Sequence, residues 1–462
     1  MRSKFTALLL VSAAAIVSAQ SASAADLPMK PMYTKAPPIV AWDWTGPYVG
    51  AYVGVGVSRS RSHDPAGLPT TTAGDIEHTG YGFTGGGTLG YNYQLNWGIL
   101  GQKLVLGVEG DIGYFDVSNQ VTDWNDVVIA NSKASWLATA RARAGLTDGP
   151  NLTYVTGGFA AAHIKDLNRD VPSGLEISSS KTETGYVFGT GVETMLGGGW
   201  SAKTESLYVN LESGDLLYNP ANATQLKADR REYYTQRFGL NYQFGAGKNG
   251  PLPQANWSGL YVGGVFGGAV GSVRGTGIDA NTNAGELGNN GSGFTAGGQV
   301  GWNWMIAPKW VVGVEGDVSY LGIDHMSSNF FNGVNTANPA GLIVDTSWMA
   351  TARGRIAYNT GPALLYATGG GAWVNTKNTL IGLSPATSST KTLSGWTVGG
   401  GIETVLWGNW STKTEYLYVD AGKGDTLVDG VSGFALAADH KFHLFRSGIV
   451  YRFNGSPLAG KF

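Results

Sequence analysis

Ser135-Trp-Leu-Ala-Thr-Ala-Arg-Ala-Arg-Ala-Gly-Leu146 divides its side chains between two faces. Trp136, Ala138, Ala140, Ala142, Ala144 and Leu146 share one, while Ser135, Thr139, Arg141, Arg143 and Gly145 share the other. A period of two marks a strand, because successive side chains of a strand point to opposite sides. One face suits lipid, and the other, with two guanidinium groups, does not. The same split runs through residues 103–115, where Leu104, Leu106, Val108, Ile112 and Tyr114 oppose Lys103, Glu109 and Asp111. It returns before Phe244, where Phe238, Leu240, Tyr242 and Phe244 oppose Arg237, Asn241 and Gln243. Segments of about ten residues, apolar outward and polar inward, predict the strands of an antiparallel transmembrane β-barrel.

The chain carries this pattern twice, at a shift of about 210 residues. Trp44-Thr-Gly-Pro-Tyr-Val-Gly matches Trp257-Ser-Gly-Leu-Tyr-Val-Gly, and Gly107-Val-Glu-Gly-Asp matches Gly313-Val-Glu-Gly-Asp. Ser135-Trp-Leu-Ala-Thr-Ala-Arg-Ala-Arg answers Ser347-Trp-Met-Ala-Thr-Ala-Arg-Gly-Arg, and Tyr154-Val-Thr-Gly-Gly answers Tyr366-Ala-Thr-Gly-Gly. Trp200-Ser-Ala-Lys-Thr-Glu pairs with Trp410-Ser-Thr-Lys-Thr-Glu, and the strand ending at Phe244 with the one ending at Phe453. A period this long exceeds any solenoid unit, so each copy is a whole domain.

Connection lengths predict the topology. In the first copy, long connections near 58–80, 116–133, 164–182 and 213–231 alternate with short ones near 94–102, 147–151 and 197–199. The second copy has long connections near 271–291, 323–344, 375–392 and 421–440. Long outer loops and short periplasmic turns characterise outer-membrane barrels. Both ends of each copy then lie on the periplasmic side, which requires an even strand count, and eight per copy fits. The expected fold is all-β: two tandem eight-stranded up-and-down barrels, with one 16-stranded barrel as the alternative. A soluble β-sandwich would also alternate, but it has no reason to alternate long and short loops so strictly.

The remaining segments complete the expected organisation. Arg2 and Lys4 precede apolar residues 5–17, and Ala22-Ser23-Ala24 ends residues 1–24 as a signal peptide would. That implies export through the Sec pathway to the bacterial outer membrane. A Pro-rich periplasmic segment, 25–43, leads to the first barrel repeat, 44–244. A linker, 245–256, carries Pro251 and Pro253 ahead of the second repeat, 257–453, and a tail, 454–462, follows. Twelve linker residues exceed what a turn inside one large barrel needs, which favours two barrels. Cysteine is absent, so no disulfide and no thiol chemistry are available. The 71 glycines, 15 tryptophans and 21 tyrosines suit bent strands and membrane interfaces. A net charge of -2 gives no field that would recruit nucleic acid.

The candidate site residues are the inward charges. In the first copy these are Glu109, Asp111, Arg141, Arg143, Glu193, Lys203, Glu205 and Arg237. In the second they are Glu315, Asp317, Arg353, Arg355, Glu403, Lys413, Glu415 and Arg446. Four acids meet four bases in each copy, inside a barrel only wide enough to be filled by side chains. That balance predicts a structural salt-bridge network. Paired carboxylates could do acid/base work, but no nucleophile accompanies them. No catalytic residue, cofactor site or metal site is expected; His440-x-x-His443 is too weak a pattern for a ligand pair. Trp44, Trp200, Phe244, Trp257, Trp410 and Phe453 are expected as an aromatic girdle at the lipid interface, with Tyr48, Tyr208, Tyr261 and Tyr418 a few residues further in.

Taken together, Ala25-Asp-Leu-Pro, Lys35-Ala-Pro-Pro, Trp44-Thr-Gly-x-Tyr-Val-Gly, Glu-Gly-Asp, Trp-Leu-Ala-Thr-x-Arg-x-Arg, Lys-Thr-Glu-x-Leu-Tyr and the terminal Tyr-x-Phe cover nearly all of the chain. In these the chain resembles the alphaproteobacterial outer-membrane surface-antigen family of opacity-porin type, which normally has one barrel. The resemblance implies a role in envelope integrity and surface exposure rather than catalysis, with haem binding or adhesion through outer loops in some relatives. It assigns no residue to haem. A porin-like passive channel is the alternative if the copies join into one barrel. Expected partners are outer-membrane lipid and lipopolysaccharide, and the barrel-assembly machinery through the strand ends Phe244 and Phe453.

Overall fold

In the computed structural model of the protein, the described residues are 42–63, 76–99, 102–122, 128–170, 173–211, 216–219, 224–245, 252, 254–278, 284–323, 326–330, 340–381, 387–424, 426–428 and 435–453. The expected signal peptide, most of the segment 25–43, most of the linker and the tail 454–462 lie outside them. The first copy runs β1 (Gly46–His63), β2 (Ile76–Ile99), β3 (Gln102–Thr122), β4 (Val128–Thr147), β5 (Asn151–Asp170), β6 (Glu176–Gly197), β7 (Trp200–Leu211), β8 (Leu216–Asn219) and β9 (Thr224–Gln243). The second runs β10 (Gly259–Ile278), β11 (Ala284–Ala307), β12 (Trp310–Ile323), β13 (Met326–Phe330), β14 (Ala340–Asn359), β15 (Ala363–Ile381), β16 (Thr387–Trp407), β17 (Trp410–Lys423), β18 (Leu427–Val428) and β19 (Ala435–Arg452). Short β8, β13 and β18 are side hairpins on β9, β14 and β19. Removing them leaves eight antiparallel strands in each copy.

Each copy closes on itself. β1 pairs with β9, from Tyr48 opposite Gln243 to His63 opposite Lys227, and β10 pairs with β19, from Tyr261 opposite Arg452 to Ile278 opposite Ala435. A 16-stranded barrel would need β9 on β10 and β1 on β19; the two sheets share no strand. The single large barrel is therefore excluded. Closure at eight strands bends the sheet tightly, and glycine makes room where neighbouring backbones crowd. A Cβ at Gly54 would stand 2.1 Å from the Gln236 carbonyl oxygen, and one at its counterpart Gly267 1.9 Å from that of Phe445.

Two details depart from the sequence expectation. Most barrel strands run 18 to 24 residues, well past the roughly 9–11 that cross the hydrocarbon. Much of what looked like long loop is hairpin, because ladder pairing persists beyond lipid: Ser58-Arg-Ser-Arg-Ser62, polar on both faces, still pairs with residues 76–80. The inner face of β4 also differs. Ser135 is skipped by the register on both sides, a β-bulge, and Leu137 takes the inner position. Ser347 repeats the bulge in β14 against β15, with Met349 inside. One extra residue in the bulged strand puts Ala134 as well as Leu137, and Val344 as well as Met349, on the inner side.

Independent closure sets an outcome for the linker. A protease site placed at 247–249 and cut in the folded protein is expected to yield two halves that each remain compact and shift in mobility only on heating. Loss of the compact form on cutting would mean that the halves share a sheet.

Candidate functional site in the barrel interior

The sequence positions that alternate with lipid-facing residues converge inside each barrel. On β3, Val108 and Ile112 are more than half exposed on the outer face, whereas Glu109 and Asp111 between them are buried. The same parity buries Arg141 and Arg143 on β4, Glu193 on β6, Lys203 and Glu205 on β7, and Arg237 on β9. Their heads meet near the middle of the barrel. Lys203 Nζ lies 2.8 Å from Glu109 Oε2, and Arg141 bridges Asp111 at 2.7 Å and Glu205 at 2.9 Å. Arg237 pairs with Asp111 at 2.8 Å and Arg143 with Glu193 at 3.1 Å.

The second copy places its eight charges the same way. Lys413 pairs with Glu315 at 3.0 Å, and Arg353 bridges Asp317 at 2.9 Å and Glu415 at 3.2 Å. Arg355 reaches Glu403 at 3.0 Å and Arg446 reaches Asp317 at 2.7 Å. Burying such ions is costly, and only mutual attraction with further hydrogen bonds offsets the loss of water. Those bonds are present: Thr139 Oγ1 donates to Asp111 at 2.6 Å, Ser201 Oγ to Glu193 at 2.6 Å and Ser411 Oγ to Glu403 at 2.7 Å.

Four tyrosines belong to the same network. Tyr48 OH donates to Glu109 at 2.7 Å and Tyr261 OH to Glu315 at 2.8 Å, while Tyr154 and Tyr366 donate to Glu205 and Glu415 at 3.0 and 3.1 Å. Guanidinium groups stack on them, Arg143 on Tyr48 at 4.6 Å and Arg355 on Tyr366 at 4.3 Å. The expectation that Tyr48 and Tyr261 sit at the lipid interface is therefore corrected. Parity carried the signal: Tyr48 shares a face with Gly50, Tyr52 and Gly54, whereas Val49, Ala51, Val53 and Val55 form the lipid face of β1.

Trp44 and Trp257 require the same correction. Both are fully buried within apolar clusters at the short-turn mouths of the barrels, and their indole N–H groups donate to the carbonyls of Gly149 and Gly361 at 3.0 and 3.1 Å. Each acceptor lies in an equivalent positive-φ turn. Trp44 packs with Trp42, Val105, Leu152, Tyr154 and Met195; Trp257 packs with Ala255, Val311, Ala357, Leu364, Tyr366 and Val405. They precede the first strands and fold inward as plugs, because an indole whose N–H finds a partner is better buried than wet. Trp200, Trp410, Phe244 and Phe453, by contrast, stand 40 to 52% exposed on the outer faces.

Above the charges a second apolar layer fills each barrel. Phe115, Leu137, Ile164, Val209 and Tyr233 belong to it in the first copy, and Leu321, Met349, Leu417, Phe442 and Leu444 in the second. Here the copies diverge. Near the outer end of the first interior, Arg231 is paired with Asp166 at 2.6 Å and Glu183 at 3.1 Å. The matching positions of the second are His440, Asn378 and Leu393, and Asn378 Nδ2 lies 3.5 Å from His440 Nε2. Arg452 is likewise specific to the second copy, pairing with Glu403 at 2.7 Å and stacking on Trp257. None of these charges recurs at the matching position of the other copy, so the repeat carries no signal for them. Among the described residues no group of three or more His, Asp or Glu could hold a metal ion.

An interior of this kind on closed eight-stranded barrels defines a small, filled membrane barrel. The chain belongs to the outer membrane protein β-barrel domain family, whose model matches it twice, over residues 7–244 and 244–453. It is an outer-membrane protein. It is 32% identical over 244 residues to the 31 kDa outer-membrane immunogenic protein of Brucella melitensis, an alignment covering 51% of this chain and 98% of that one. It is 30% identical over 240 residues to the 25 kDa outer-membrane immunogenic protein of the same species, covering 51% and 97%. Against the 22 kDa outer membrane protein of Rhizobium leguminosarum bv. viciae the identity is 33% over 183 residues, covering 39% and 72%. Each of these relatives has the length of about one barrel, and the tandem arrangement departs from them.

Removing one member of a buried network leaves its partners uncompensated. Glu109→Gln and Glu315→Gln are each expected to cost about 3–5 kcal/mol in urea unfolding of the lipid-reconstituted protein; a loss of under about 1 kcal/mol, the size of an exposed pair, would contradict a buried network. The turn between β4 and β5 adds a pH effect. Burial pushes the Asp148 carboxyl up from 3.8 to about 7, with a hydrogen bond from Asn151 only partly opposing it. A raised acid pKa means the contribution is full below 3.8 and lost as pH rises through about 7. Asp148→Asn is expected to flatten that part of the stability profile, and an unchanged slope would refute the assignment.

Proposed function

We propose that the protein is a non-conducting, non-catalytic structural barrel pair of the outer membrane, which contributes to envelope integrity and presents its outer hairpins to the surroundings. The observation that carries this reading is the filling of each barrel at three levels: an indole plug, a paired charge network and an apolar layer. Such an interior has no water column for solutes, whereas aqueous porins need far more strands. The charges are spent on one another, so none is left as a free acid or base for catalysis. The naming of relatives as immunogenic agrees with a surface-exposed role. Outward Phe244 and Phe453 close the last strands and suit recognition by a barrel-assembly machinery, and the lipid-facing aromatics suit contact with lipid and lipopolysaccharide.

In planar bilayers the purified protein is expected to pass little current, and deletion of the gene is expected to raise detergent sensitivity. Steady, large unitary conductance would overturn the filled-barrel reading. A deletion strain with unchanged permeability and detergent sensitivity would overturn the envelope role.

A further inference from the structure

A barrel strand in lipid should expose its outward residues, and over most of the surface these strands do. Leu89, Val108, Ile112 and Phe159 are all more than half exposed. One line of outward positions on the first barrel is buried instead. Asn151 on β5, Thr194 on β6, Ala202 and Thr204 on β7, Gln236 on β9 and Val57 on β1 are at most 5% exposed. Each alternates with an inward residue, such as Glu193, Lys203 or Arg237, so none of them points into the barrel. Because barrel strands tilt, a line climbing across successive strands runs along the barrel axis.

The second barrel has its own buried line on the outer face: Ala363 on β15, Ile402 and Thr404 on β16, Thr414 on β17, His443 on β19 and Val270 on β10. The two lines meet. Ala202, Ala363 and Ile402 form one apolar cluster, with Leu196 and Leu365 against it. Asn151 Nδ2 donates to the Val405 carbonyl oxygen at 2.9 Å, and the Tyr81 ring lies 4.3 Å from that of His443.

The repeat shows that these are the same face. By the alignment of the copies, Asn151 corresponds to Ala363, Thr194 to Thr404, Thr204 to Thr414 and Val57 to Val270. Every one of these eight positions is outward and buried. β2 also approaches its own counterpart β11. Like facing like is the signature of an isologous two-fold contact. The face is also unsuited to lipid. Gln236 Nε2 donates to Thr204 Oγ1 at 2.8 Å and Gln236 Oε1 accepts from Ser206 Oγ at 2.6 Å, Thr194 Oγ1 donates to Asn151 Oδ1 at 2.8 Å, and Thr404 Oγ1 is buried without a partner. Hydrocarbon would leave such groups exposed to an apolar medium at a cost. Of the described linker residues, Leu252 packs against the Trp44 cluster of the first barrel, and Ala255 N donates to Gly361 O of the second at 3.3 Å.

We infer that the protein is a fused dimer of barrels, in which the equivalent outer face of each copy is a lipid-excluding seam that holds the two side by side as one unit in the membrane. The absence of native cysteine makes a direct test possible in the full-length chain. Ala202→Cys with Ile402→Cys places two thiols in the shared cluster; Leu196→Cys with Leu365→Cys is the second pair, in case the first disturbs folding. Val108→Cys with Val318→Cys, both on open outer faces, is the control. Each variant carries a protease site at 247–249. Outer membranes are treated with a short bifunctional thiol reagent and the linker is then cut. Molecules showing heat-dependent mobility are scored on denaturing gels. Both seam pairs are expected to move most of the folded protein from half-length to full-length bands, and the control pair to leave it at half-length. Seam pairs that join no more folded protein than the control would overturn the inference, as would a control that joins as well as they do.

Discussion

An eight-stranded barrel has no room for water around an ion, and the rest of this structure follows from that. Eight charges at matched positions enter each interior because the strand period puts them there, with others specific to one copy, and each must find an opposite charge within a few ångströms or leave an uncompensated ion. The solution is a shared lattice rather than separate pairs: Arg141 serves Asp111 and Glu205, Arg353 serves Asp317 and Glu415, and tyrosine hydroxyls add hydrogen bonds to Glu109 and Glu415. With the middle of the barrel committed in this way, the apolar layers above and below fill the remaining space and shield the charges.

The parts legible in the sequence are those governed by a period of two. Duplication, strand count, the short turns and the sixteen matched inward charges all follow from alternation and repetition. What stayed hidden depends on contacts between segments distant in the chain. Trp44 and Trp257 precede the strands, so alternation says nothing of where their rings go, and a tryptophan at a strand end suits either an interface or a plug. Only the positive-φ turns at Gly149 and Gly361, about a hundred residues away, provide the acceptors that draw them inward. Closure was equally non-local: the linker's length favoured two barrels, and the pairings of β1 with β9 and β10 with β19 establish them.

Duplication then acts at a second level. Within each barrel the copies keep the central network nearly unchanged, while their outer ends differ, Arg231 with Asp166 and Glu183 in one, His440 with Asn378 in the other. Between the barrels, matched outward positions such as Thr194 and Thr404 are buried together. Preserved interiors and divergent outer ends suit a scaffold whose surface is free to vary.

The central claim is that both interiors are dry. Thr84 and its counterpart Thr295 point inward and are fully buried, and in an otherwise cysteine-free chain each can be replaced by Cys and exposed to a small water-soluble thiol reagent in intact cells. Neither cysteine is expected to react until the protein is unfolded by heating. Rapid labelling of either one in the folded protein would show a water path through the barrel and would contradict that claim.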